Sequence, residues 1–199
     1  MLKEKYAYSE PIFVEDLDQE QKDELVKLAK AGEIKMFEDG IYYFTKTVVF
    51  STFESELPLR PESVIERRYL EHNGDVFGYI SGFSLVNGAG LSRQVPNFLE
   101  ITTNNVDNDG DFFVGIRRIK VHPSPIKITK ENVNSLQFLD LMTWMDPVVF
   151  EEMDQFMLHE WIQENNIKLN DLYEYVDYFP EIAKQNLNRE VVKNEFTQK

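Results

Sequence analysis

The chain of 199 residues contains no cysteine. Disulfides, thiolate zinc sites and cysteine nucleophiles are excluded at once, and the composition suits a reducing cytoplasm. Nor does any run approach the roughly twenty apolar residues that a membrane span requires. The opening residues, Met1 to Tyr6, lead into no apolar signal core, so neither export nor bilayer crossing is expected. Histidine is scarce, with 3 residues, and positive charge is outnumbered: 21 Lys and Arg stand against 35 Asp and Glu. Residues 1 to 48 carry −4, residues 49 to 140 carry −3 and residues 141 to 199 carry −7 of the total of −14. An end so acidic repels nucleic acid and anionic membrane and suits a basic protein partner.

The chain does have material for a core: 42% hydrophobic residues, 15 of them Phe, which places it among folded proteins. Asp18 followed by Glu20 to Lys30 predicts a helix with Leu25, Leu28 and Ala29 on one stripe and Gly32 at its end. Ile34 to Phe37 and Ile41 to Phe44 predict two short strands joined by a turn at Glu38-Asp39-Gly40. Helix then hairpin is the layout of a winged helix-turn-helix. The segment Pro11 to Leu17 supplies part of its preceding helix, and only about ten residues come before it.

From Val48 a polar connection with Pro58 and Pro61 leads to a helix over Glu62 to Leu70, with Pro61 at its first position. Val76 to Ser81 predicts a buried strand, Gly82 to Val86 one or two helical turns, and Phe98 to Thr103 another strand. Asp107 to Asp111 reads as a hairpin tip whose second arm is Phe112 to Val121. Val133 to Met142 and Pro147 to Asn165 predict helices, the latter with Val149, Met153, Phe156, Met157 and Trp161 at helical spacing. A further helical segment covers Leu169 to Phe179, and Glu181 to Lys199 is expected to be a short helix with a frayed tail. The expected fold is α+β in three parts: a reduced winged helix-turn-helix at 1–48, a small mixed α/β body at 49–135, and an acidic helical region at 136–199.

Motifs for chemistry are incomplete. Asn105, Asp107, Asp109 and Gly110 begin like a calcium loop, but Ile116 stands where a bidentate Glu is needed, so a turn is the better reading. His159-Glu160 begins like a zinc-protease helix, yet Gln163 replaces the second His. Ser81-Gly82 lacks the upstream glycine of a nucleophile elbow, and Asn87 to Gly90 lacks the Lys-Ser or Lys-Thr of a phosphate cradle. Acidic residues are many, and nothing selects two of them as an acid/base pair. No catalytic residue, metal or cofactor is nominated, and a non-enzyme is expected. Arg67, Arg68, Arg93, Arg117, Arg118 and Lys120 are candidates for a shared anion-binding or partner-binding patch. Strand alternation puts Arg118 and Lys120 on one face and Arg117 on the other.

The stretch Ile80-Ser81-Gly82 through Gly90-Leu91-Ser92-Arg93-Gln94-Val95-Pro96-Asn97 resembles the signature of the AbiEi-type abortive-infection antitoxins. That pattern is a Ser-Gly, a short helix with a small-residue exit, then Gly-Leu-Ser-Thr-Gln-Val-Pro, from which this sequence departs only at Arg93. The order of parts agrees over roughly residues 10 to 180. The resemblance implies a signature loop containing Ser81, Gly82, Gly90, Ser92, Gln94 and Pro96. It also implies a phage-defence antitoxin of a type IV pair that opposes a nucleotidyltransferase toxin and acts as a winged-helix repressor of its own operon. On that footing Lys22, Lys27, Lys30 and Lys35 are the candidate DNA contacts. The helix bearing the first three also carries Glu20, Asp23 and Glu24, so operator binding is expected to be weak and salt-sensitive. The alternative is a protein-binding relative that has lost DNA recognition. Ser92, Arg93 and Gln94 either form a capped loop before Pro96 or present polar groups beside the sheet end.

Overall fold

Asp18 sets the start of the longest helix in the first third of the chain. Its carboxylate accepts the Gln21 backbone N–H at 2.8 Å, and the Gln21 side chain accepts the Asp18 N–H at 3.2 Å. This reciprocal cap satisfies two otherwise unpaired donors. The computed structural model describes residues 1–49, 51–92, 94–145 and 155–197. The chain divides into two units: residues 1–65 with 114–116, and residues 66–113 with 117–199.

In the first unit α1 (Leu2–Lys5) precedes β1 (Ile12–Phe13), then come α2 (Gln19–Lys30), β2 (Ile34–Glu38) and β3 (Ile41–Phe44). The three strands form one sheet in the order β1-β3-β2. The segment expected to lend helix at 11–17 is instead a strand followed by one 3-10 turn, Val14–Asp16. Pairing explains this: Ile12 and Phe13 lie opposite Tyr42 and Ile41, where the β3 edge satisfies backbone groups that so short a helix would leave open. Leu25 is buried with Leu2, Ile12, Leu17, Ile34 and Phe44, and Leu28 packs on the same cluster. Ala29, expected on that stripe, is exposed; a single methyl gains least from burial, and the two leucines fill the place. The polar connection after Val48 contains an antiparallel ribbon, β4 (Thr47–Val49) with β5 (Glu54–Glu56), before α3 (Pro61–Ile65).

The second unit opens with a π-helical turn, Glu66–Leu70, and a two-stranded ribbon, β6 (Glu71–His72) with β7 (Asp75–Val76). Its main sheet contains β8 (Gly78–Ile80), β9 (Leu99–Thr103), β10 (Gly110–Val114) and β11 (Arg117–Pro123), with α4 (Gly82–Gly88) between β8 and β9. The order is β10-β11-β9-β8. The hairpin expected around Asp107–Asp111 is therefore misplaced. Gly115, at φ +56°, reverses the chain and splits residues 112–121, expected as one arm, into two strands. As a result β9 runs parallel to β11, with Ile101 opposite Val121, and residues 104–109 are a connection rather than a tip.

Helices complete this unit: α5 (Val133–Trp144), α6 (Gln155–Glu164), α7 (Leu169–Tyr175) with a 3-10 turn Val176–Tyr178, α8 (Glu181–Leu187) and α9 (Glu190–Glu195). Their core surrounds Phe138, on which Trp161 stacks at 5.6 Å and Phe196 stands edge-on at 5.8 Å. The tail expected to fray thus packs: Val192 and Glu195 are buried. The apolar contacts of Phe196 and Val192 outweigh the ordering cost of two short helices. Of the expected helix 147–165, residues 147–154 lie outside the described residues, as do the side chains of Phe156 and Met157. The chain is α+β. No helix among the described residues is long and apolar enough to cross a membrane.

Candidate functional site

A polar arrangement drawn from several elements of the second unit surrounds the start of α4. Ser81 follows β8 in extended backbone as the N-cap of α4, and Gly82 comes next at φ +60°. A Cβ at Gly82 would meet the end of the Glu100 side chain and displace its carboxylate, and the positive φ itself favours glycine. Two carboxylates from separate elements satisfy the helix's first N–H groups. Asp140 of α5 accepts from Gly82 at 2.8 Å, and Glu100 of β9 accepts from Phe83 at 2.9 Å. Ser84 Oγ fixes the same register, donating to the Phe98 carbonyl at 3.1 Å and accepting the Glu100 N–H at 3.0 Å.

Burial pushes the Asp140 carboxyl up to about 6, against the pull of the Gly82 N–H, and the neighbouring Glu100 charge adds to the rise. The Trp144 indole donates to Asp140 as well. On the other side His122 places Nδ1 3.0 Å from Asp109 and Nε2 4.0 Å from Glu100. The chain Asp109–His122–Glu100 and the pair Asp140–Trp144 thus meet at the α4 N-terminus. Chemically the carboxylates act as acceptors that hold backbone and indole donors. Among the described residues no group of three or more His, Asp or Glu side chains has a metal-binding arrangement.

Sequence reasoning found Ser81 and Gly82 but missed Glu100, His122, Asp140 and Trp144. One signal was present: Asp140 is the single charged residue in Val133–Trp144, and a lone carboxylate on an apolar helix needs a buried donor.

The described residues that follow α4 form a capped turn. Ser92 Oγ accepts the Gln94 N–H at 3.1 Å, and the Ser92 carbonyl accepts from the Asn87 side chain at 3.0 Å. Gly90 leaves α4 at φ +73°. Gln94 is exposed and Pro96 half-buried, while Arg93 lies outside the described residues.

Of the candidate DNA contacts, Lys27 and Lys30 are exposed on α2, and Lys22 is half-buried. Lys35 on β2 is ion-paired with Glu56 of β5, and the bond to Glu56 raises its pKa. The arginine patch is only partly assembled. Arg118 and Lys120 share a face over the Phe98 ring, at 5.9 and 3.9 Å, while Arg117 falls on the alternate side. Arg118 also forks onto Asp111 at 2.9 and 2.7 Å, which holds the Asp111 carboxyl below its usual range. Arg67 and Arg68 occupy the π-helical turn, Arg68 lying 6.0 Å from the Tyr69 ring.

No protein-family model and no curated protein matches the chain.

Proposed function

We propose that this chain is the antitoxin of a type IV toxin–antitoxin pair, a cytoplasmic protein without catalytic activity. On this reading it opposes a nucleotidyltransferase toxin and represses its own operon through a reduced winged helix at residues 1–48. The observation that carries the reading is the order of elements in the first unit. Helix, strand, turn, helix and hairpin follow in sequence, and the first strand lies beside the last as β1-β3-β2. In a winged helix that order presents the helix before the hairpin to the major groove. Here that helix is α2, with Lys27 and Lys30 exposed. The resemblance of residues 80–97 to the antitoxin signature supports assigning antitoxin activity to the second unit.

A mobility-shift titration with the chain's own promoter tests the repressor half. Wild type retains the duplex at low salt and releases it as salt rises, because phosphate neutralisation supplies the affinity. Lys27→Glu combined with Lys30→Glu abolishes retention. Wild type that fails to bind at low salt would refute operator repression.

The ion pair of Lys35 with Glu56 favours a second reading, a relative that keeps the fold and binds protein instead of DNA. The surplus of −7 over residues 141–199 favours it too. On that reading the promoter is not retained at any salt concentration, and a basic protein is the partner.

A further inference from the structure

The two parallel strands of the second unit end level with each other, Pro123 of β11 lying opposite Thr103 of β9. From there the chain leaves in two directions. Residues after β9 lead to β10, at the sheet edge beyond β11, whereas residues after β11 turn back to Asn104 and then enter α5. Separated exits at the carboxyl ends of adjacent parallel strands leave a crevice, the place where open α/β sheets bind ligands. Here the crevice is an open cleft of about 450 Å³ between the two strand ends, lined further by Val106, Asp107 and Lys127. That volume lies within the range of small-molecule sites.

The base of the cleft is fixed before any ligand arrives. Asn104 clasps the Ile128 backbone, donating to its carbonyl at 2.8 Å and accepting its N–H at 2.9 Å. Thr103 Oγ1 donates to the Phe77 carbonyl at 3.0 Å and accepts the Asn105 N–H at 3.2 Å. The Ser124 N–H donates to the Thr103 carbonyl at 3.1 Å, and Ser124 Oγ donates to the Ile126 carbonyl at 2.6 Å, which leaves its lone pairs for a donor. Asp107 and Lys127 are the charged side chains of the lining, and both are exposed. Among the described residues neither charged group has an ion pair or hydrogen bond, with the other or with a third residue.

These two charges select the ligand. An anion drawn to Lys127 meets Asp107 in the same cleft, and a cation drawn to Asp107 meets Lys127. Phosphate and nucleic acid are disfavoured further by the chain's net charge of −14. A zwitterion satisfies both groups at once and, being neutral, is indifferent to the overall charge. Its carboxylate pairs with Lys127 and its ammonium with Asp107 and Ser124 Oγ, while Val106 and Pro123 offer an apolar wall to the remainder.

We propose that the cleft at the ends of β9 and β11 binds a free α-amino acid with an apolar side chain, held between Lys127 and Asp107. The assignment is independent of operator binding and of toxin neutralisation, and it stands if either fails.

The test titrates the full chain, labelled with nitrogen-15, with L-valine, L-leucine and L-methionine. At least one is expected to bind with a Kd of about 1 mM or tighter. It shifts the backbone amides of Asp107, Ser124 and Lys127, while that of Gln21 in the first unit stays in place. For each amino acid that binds, the desamino acid and the decarboxylated amine keep one charge apiece, and both bind at least about tenfold more weakly. Asp107→Asn and Lys127→Met, exposed positions with the fold checked by thermal melting, each weaken the amino acid at least about tenfold. Glu174→Gln, which alters net charge on α7, changes its affinity less than about twofold. No saturable shift by any of the three up to about 10 mM, or a one-charge analogue that binds as tightly as its parent, would overturn the proposal. So would wild-type affinity in either Asp107→Asn or Lys127→Met.

Discussion

The cluster around α2 contains Leu2, Ile12, Leu17, Leu25, Ile34 and Phe44, whereas among the described residues the cluster around α5 gathers fifteen buried side chains from α4 and the helical end. Small clusters under exposed strands open locally at low cost, and large ones set the global stability. The first unit, of short elements, carries Lys27 and Lys30 exposed on α2, while residues 80–92 of the second pack on the larger cluster.

Phe138→Ala should break that base most severely. The ring is fully buried and contacts Trp161 and Phe196, so the loss should be about 3–5 kcal/mol in denaturant unfolding. Leu25→Ala in the first unit should cost less, about 2 kcal/mol. A larger loss from Leu25→Ala would reverse the ranking of the two units.

Asp140 tests the second unit through pH. Its folded pKa of about 6 lies above the unfolded value, so the folded state binds the proton more tightly. Its contribution to stability is therefore full below the unfolded pKa, near 3.9, and lost as pH rises through 6. Asp140→Asn carries no charge at any pH. Relative to wild type it should gain up to about 3 kcal/mol between pH 4 and pH 7.5; a flat difference would show that burial does not destabilise this carboxylate.

Asn186 is fully buried, donating to the Met142 and Met145 carbonyls at 2.8 and 2.7 Å and accepting from Arg189 at 2.9 Å. Asn186→Leu leaves those carbonyls unpaired at the end of α5 and should cost about 2 kcal/mol by thermal unfolding. The smallest effect belongs to the first unit: Asp18→Ala removes the α2 cap and should cost about 1 kcal/mol. Hydrogen exchange should register it as faster exchange at Gln21 while amides of α5 keep their protection.

Local signals were legible in the sequence and long-range pairings were not. The extent of α2, the turn at Gly40 and the start of α4 follow from caps, glycines and spacing within a few residues. The strand at Ile12–Phe13 depends on β3, some thirty residues later, and the parallel register of β9 with β11 depends on a reversal at Gly115 inside a stretch that otherwise has the pattern of one strand. The candidate site divides the same way. Gly82 belongs to a motif, but Glu100 and Asp140 come from separate elements, and only folding brings both to the first turn of one helix. Lys35 was legible as a surface cation, while its partner Glu56 lies on a ribbon that the polar sequence 49–58 does not advertise.

Growth rescue tests the central claim most directly. The gene adjacent to the one encoding this chain is induced in a host, with and without the full chain and its Lys27→Glu, Lys30→Glu variant. The account predicts that induction arrests growth, that wild type and variant both restore it, and that the variant alone fails to repress the shared promoter. Arrest that neither protein relieves, or a neighbouring gene without toxicity, would contradict the antitoxin assignment.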